Sequence, residues 1–169
     1  MSAPKDLNDL YAHELQDLWS ANEQMSEVVP KLADAAGDQK LKDRLTKAVK
    51  GIDANTEMVK QLLADMDEQS KEHCKGMEGL VKEAKKHALE AGIDDKDVRD
   101  VAIIAQYQRM CHYGICGFGT AKAFAEALGR KEDMAKLDGA TEGIYDADKN
   151  MSDLAERSVN LHAKNKANA

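Results

Sequence analysis

Within six positions the chain sets two thiols and an imidazole, Cys111, His112 and Cys116, a group that could ligate a soft metal ion or act in redox chemistry. Carboxylates suited to a harder cation, or to proton transfer, are more scattered: Glu14 between Tyr11 and Leu18, and Glu142 and Asp148 around Ile144. Spacing limits this chemistry. On a helix, positions five apart diverge by about 140° and neighbours by about 100°, so Cys111, Cys116 and His112 do not converge on one ion. A thiol–zinc site needs four convergent ligands, and no cationic partner that would lower a thiol's pKa is evident. With Cys74, the cysteines are too few and too scattered for a disulfide framework. They read as reduced thiols, with Cys111 packed in a core.

The elements that must position these groups are helices. Four long runs carry a period of about 3.6 residues, over 7–35, 39–67, 95–128 and 131–161. Asp6 is a suitable N-cap for the first, and Gly37 and Gly129 are suitable stops. Pro30 is expected to kink or break the first run. A shorter amphipathic run, 75–91, ends at Gly92 and is long enough to cross the side or end of a bundle. The reading is an all-α, ferritin-like four-helix bundle with a short extra helix in the long crossover between helices two and three. One domain over 1–162 is expected, followed by a frayed polar tail, 163–169.

Composition agrees. Of 169 residues, 43% are hydrophobic and 33% charged, enough of each for a packed core and a solvated exterior, which excludes a chain disordered throughout. Aromatics at 4% and only 2 Pro argue against an all-β fold. A net charge of −7 argues against non-specific nucleic-acid binding. No run approaches the roughly 18 apolar residues of a membrane span, and MSAPKDLNDL lacks the apolar core of a signal peptide. The expected location is the cytoplasm.

Bundles build their sites from polar residues on inward faces. Here those are Glu14 and Asn22, then Asn55, then Tyr107 and Cys111 with Gly114 one turn on, and Asp148 at the edge of an arc. His13, Glu23 and Glu142 fall outside the arcs and read as solvated. Gly114, Gly117 and Gly119 share one run at a cost of up to about 1 kcal/mol each. Close helix approach would offset this; so would a small cavity that Met110, Ile144 and Met151 partly fill. Trp19 lies on a flank suited to a neighbouring helix or a second subunit.

Four stretches, DLYAHELQDLWSA, VPKLADAA, CKGMEGLVKEA and VRDVAIIAQYQRMCHYGICGFGTAKAFAEALG, resemble the ferritin-like stress-protein family of the YciF/YciE type. The resemblance implies two antiparallel helix pairs, usually dimeric, tied to bacterial stress responses. It also implies inward carboxylates able to hold two iron or manganese ions. Carried over by position, the helix-one Glu falls on Asn22. The helix-two pair falls on Lys50 and Gly51, with a nearby His on Ala48. The helix-three pair falls on Cys111 and Gly114, and the helix-four acidic run on Glu142, Gly143 and Ile144. Asp148 is the one inward acid that matches. Two dications about 3.5–4 Å apart need several anionic oxygens, so the di-metal centre is expected to be absent.

The expectation is a metal-free structural or binding protein, without catalytic residues or cofactor. It would form a homodimer, bind neither nucleic acid nor membrane, and have a protein partner the sequence does not identify. The alternative is an iron- or manganese-binding protein or oxidase with relocated ligands, for which Glu14, His112, Glu142 and Asp148 are available.

Overall fold

In the computed structural model, which describes residues 3–68 and 70–166, every regular element is helical. Helix α1 spans Leu7–Ala35 and α2 Gln39–Ala64. Helix α3, Lys75–Ala84, continues into a π-helical turn, Lys85–Leu89. Helix α4 spans Lys96–Ala127. Helix α5, Lys131–Leu154, passes through a second π-helical turn, Ala155–Val159, into α6, Asn160–Lys166. The bundle is ferritin-like, with α3 in the long crossover between the second and third long helices.

Local chemistry sets the helix ends. The side chains of Asp6, Asp38 and Asp95 accept backbone N–H bonds from the first turns of α1, α2 and α4. Gly92 and Gly129 stop their helices with φ of +65° and +72°, values that glycine adopts without a Cβ penalty. Pro30 does not break α1. Pro30 and Ser26, whose carbonyl loses its intrahelical donor, are both only half-buried, so water reaches the gap. Helix α2 ends three residues before the expected limit. Residues 163–166, expected to fray, form the end of α6, and 167–169 lie outside the described residues.

Helices α1 and α2 form one hairpin and α4 and α5 the other. The hairpins meet mainly through α1 and α4, while α2 and α5 touch sparsely. At Gly117 a Cβ would stand 2.7 Å from Leu18 Cδ2, so this glycine permits the close approach of α4 to α1. The apolar core is divided. One cluster includes Met25, Val28, Leu41, Ile103 and Met110; the other includes Tyr11, Leu15, Leu63 and Phe118. Ile144 packs, half-buried, against both.

Polar clamps tie the ends and the crossover. Asp100, 1% exposed, accepts the N–H groups of Gly37 and Asp38 at 2.8 and 2.7 Å, fixing the α1–α2 turn to α4. Tyr11 donates to Asp133 Oδ2 at 3.2 Å, joining the start of α1 to α5. Helix α3 straps the α1–α4 seam. Its N-cap, the fully buried Cys74, donates its backbone N–H to Ser20 Oγ at 2.9 Å, and its carbonyl accepts from Gln24. Tyr113 donates to Asp17 Oδ2 at 2.7 Å, so the Cys74 thiol, 3.0 Å from Tyr113 Oη, donates to the phenol oxygen.

This network makes two glycines of α3 unequal. A Cβ at Gly76 would lie 2.7 Å from Tyr113 Cε2, on a ring whose hydroxyl is bonded on two sides; a Cβ at Gly79 meets nothing within 4 Å. Gly76→Ala is expected to lower the urea-unfolding free energy by about 1–3 kcal/mol through overpacking. Gly79→Ala is expected to raise it by up to about 1 kcal/mol through helix propensity. Equal effects would show that Tyr113 is not held where the network places it.

Candidate functional site

The sparse contact between α2 and α5 leaves a cleft of about 620 Å³ at the middle of the bundle. Its walls are α2 and α5, and α1 and α4 supply its floor. Met25, Ile52, Tyr107, Met110, Cys111 and Met151 give it an apolar surface. Arg44 and Lys47 from α2 and Asp146 from α5 line it as well, and the Arg44 guanidinium donates to the Asn150 carbonyl across the two walls.

The positions at which the YciF/YciE-type resemblance places metal ligands converge here. Asn22, Ala48, Gly51, Cys111, Gly114, Gly143 and Ile144 all line the cleft. Lys50 and Glu142 are exposed and are not among the lining residues. The helical register read from sequence is therefore supported, and the convergent side chains carry no carboxylate. Ile144 reaches into the space left by Gly114, where a Cβ would meet Ile144 Cδ1 at 3.3 Å.

The titratable groups of the floor are held protonated by burial. Burial pushes the Cys111 thiol up to about 12, opposed by the hydrogen bond from Tyr107. Burial raises the Tyr107 hydroxyl as well. Both groups hold their protons at neutral pH in the metal-free chain, so ligation through Cys111 would carry the added cost of releasing one. Asn22 is 5% exposed, and its Nδ2 is sealed from solvent without an acceptor. Among the described residues no three His, Cys, Asp or Glu side chains gather closely enough to hold a metal ion. The donor set does not fit a pair of dications.

Asp148, expected to face inward, requires correction. It lies between α4 and α5 and is not among the lining residues, though its charge reaches Tyr107 and Cys111; Oδ1 accepts from Gln108 Nε2 at 3.0 Å and Oδ2 stands 3.3 Å from His112 Nε2. Gln108 also bonds Ser152 at 2.9 Å. The hydrogen-bond donor to Asp148 is thus Gln108, with the His112 imidazole beside its second oxygen. Of Glu14, His112, Glu142 and Asp148, the fold pairs only His112 with Asp148. Sequence reasoning passed over Gln108; its place one turn before His112, opposite Asp148 and Ser152, is the signal that face-matching would have used.

Glu14 stands on the α1–α4 seam, with Oε1 3.2 Å from where a Gly117 Cβ would be, and Tyr11 bonds Asp133. Trp19 is occupied within the chain: it donates to Glu23 Oε1 at 2.7 Å, and Lys60 and Lys71 lie 5.3 and 6.0 Å from its ring centroid. Cys116 is exposed and Cys74 buried; all three cysteines are free thiols.

Fold and cleft define a ferritin-like helical-bundle protein whose centre is apolar. The chain belongs to a family described as a domain of unknown function, DUF892, whose model matches residues 6–164. It is 32% identical over 165 residues to Protein YciF of Escherichia coli (strain K12), covering 96% of this chain and 98% of that protein. The crystal structure of the E. coli stress protein YciF matches with a TM-score of 0.86 at 30% identity, covering 93% of this chain and 99% of that one. YcfI from Rhodopseudomonas palustris matches with a TM-score of 0.82 at 30% identity, covering 88% and 94%. Among the described residues no helix is long and apolar enough to cross a membrane.

Burial lifts the Glu14 carboxyl above its ordinary 4.5, and the charge of Asp17 adds to the shift. A raised carboxyl pKa means that ionisation opposes folding; the penalty is complete above the folded-state pKa and gone below 4.5. Glu14→Gln is therefore expected to raise Tm at neutral pH and to leave it unchanged well below 4.5. Thermal melts across that range check it, and a lowered neutral Tm would assign the carboxylate a stabilising partner.

Proposed function

We propose that the chain is a metal-free member of the ferritin-like bundles that acts as a structural or binding protein in bacterial stress response, and is not an oxidase. One observation carries the reading. The point at which a metal pair would need several anionic oxygens is lined by an amide, a protonated thiol, glycines and Ile144, with Asp146 the one carboxylate in the cleft's lining. The stress association rests on the likeness to YciF, which is named a stress protein.

Homodimerisation is part of the proposal, from the usual state of the YciF/YciE type. So is a cytoplasmic location, which suits three free thiols. The net charge of −7 supports a protein that does not bind nucleic acid. The alternative iron or manganese reading draws its candidate ligands from Glu14, His112, Glu142 and Asp148, of which His112 and Asp148 are the pair that lie together.

Protein expressed in iron- and manganese-rich medium should contain far less than one metal ion per chain by elemental analysis. Its ferrous-oxidation rate in air should equal that of buffer and should not change in Asp148→Ala. Two tightly held metals per chain, or oxidation above the buffer rate that Asp148→Ala removes, would defeat the proposal.

A further inference from the structure

The cleft has features that neither packing nor water explains. Gly51 on one wall and Gly139 and Gly143, one turn apart on the other, each cost about 1 kcal/mol of helix propensity relative to alanine. A Cβ at any of the three would meet nothing within 4 Å, so none permits a close helix approach. Gly79 and Gly119 are also unpacked, so glycine alone marks no site. Here the three share one opening with an independent signal, the Asn22 amide. That side chain is 5% exposed, lines the cleft, and has an Nδ2 with no acceptor. A buried donor without a partner is costly. The amide's Oδ1 and Nδ2 exchange places by a half-turn about χ2, and Asn22 is a cleft-lining side chain.

The volume of about 620 Å³ falls within the roughly 300–1,000 Å³ of small-molecule sites, which are apolar with a few placed polar groups. The charged lining residues, Arg44 and Lys47 against Asp146, lie on the walls and leave a positive excess, which disfavours a cation, while the floor on which Asn22 stands carries no charge. On the floor, Tyr107 already donates to Cys111, which leaves Asn22 as the free donor.

We propose that the α2–α5 cleft binds a neutral, largely apolar small molecule through a carbonyl-type oxygen that accepts from Asn22 Nδ2. The inference rests on the metal-free reading of the same cleft and names the class of ligand it takes. Gly51, Gly139 and Gly143 leave the opening between the walls unfilled, and the apolar floor takes the hydrocarbon part of the molecule.

Two fluorescent probes test it: Prodan, a neutral propionyl-dimethylaminonaphthalene, and dimethylaminonaphthalene, which lacks the carbonyl. The full chain should bind Prodan saturably, with blue-shifted emission. Asn22→Leu should weaken Prodan about tenfold, the loss of one hydrogen bond, and leave the carbonyl-free probe unchanged. Gly143→Leu should abolish saturable binding of both probes without lowering Tm, since the new side chain enters open space. Gly51→Leu provides the same test from the other wall.

Absence of saturable Prodan binding, or binding that survives both glycine variants, would overturn the inference and leave the metal-free reading intact. Prodan affinity that falls as protein concentration rises would assign the cleft to a second copy and overturn it likewise. Displacement of Prodan by ferrous iron at two ions per chain would instead sink the metal-free reading, and the inference with it.

Discussion

The two hairpins of this bundle are drawn together along one seam and held apart along the other, and the rest of the structure follows from that asymmetry. On the α1–α4 side, Gly117 lets Leu18 press against the α4 backbone, and α3 is strapped over the seam. On the α2–α5 side little crosses, and the core divides into two clusters with Ile144 between them. Hydrophobic burial scales with apolar area removed from water, so a divided core leaves more of the work to clamps at the ends. Asp100 on the α1–α2 turn and Tyr11 on Asp133 occupy those places.

A bundle centre can be made polar or apolar, and the physical costs differ. Carboxylates gathered without metal repel one another and resist desolvation. An apolar centre that is not filled instead forfeits dispersion contacts along its lining. This chain takes the second course and moderates it: Ile144 occupies the space above Gly114, and flexible Met25, Met110 and Met151 adapt to the remainder. The one acid that the inward arcs seemed to retain, Asp148, has its oxygens engaged by Gln108 and His112 outside the cleft.

The helices were legible because their signals are local. Capping aspartates, the stops at Gly92 and Gly129 and an unbroken period place most helix ends within a residue or two. The inward facing of Asn22, Cys111 and Gly114 followed from wheel geometry, and that of Gly51 from the family resemblance. Asp148 did not, because it sits at the edge of its arc, where a few tens of degrees decide between cleft and α4–α5 face. Cys74 as an N-cap was invisible, since cysteine carries no capping signal and its partners Ser20 and Tyr113 are distant in sequence. The openness of the cleft was undecided for a different reason. Helical period says which side of a helix faces inward, not how far away the opposite helix stands.

The three thiols sit at graded depths: Cys116 on the surface, Cys111 at the floor of the cleft, and Cys74 beneath the α3 strap. Each is separated from solvent by a different barrier, namely nothing, the fluctuation of two sparsely joined helices, and the lifting of a crossover. Successive alkylation of the native protein thus becomes an internal depth gauge, recording in turn the surface, the breathing of the α2–α5 wall and the release of α3.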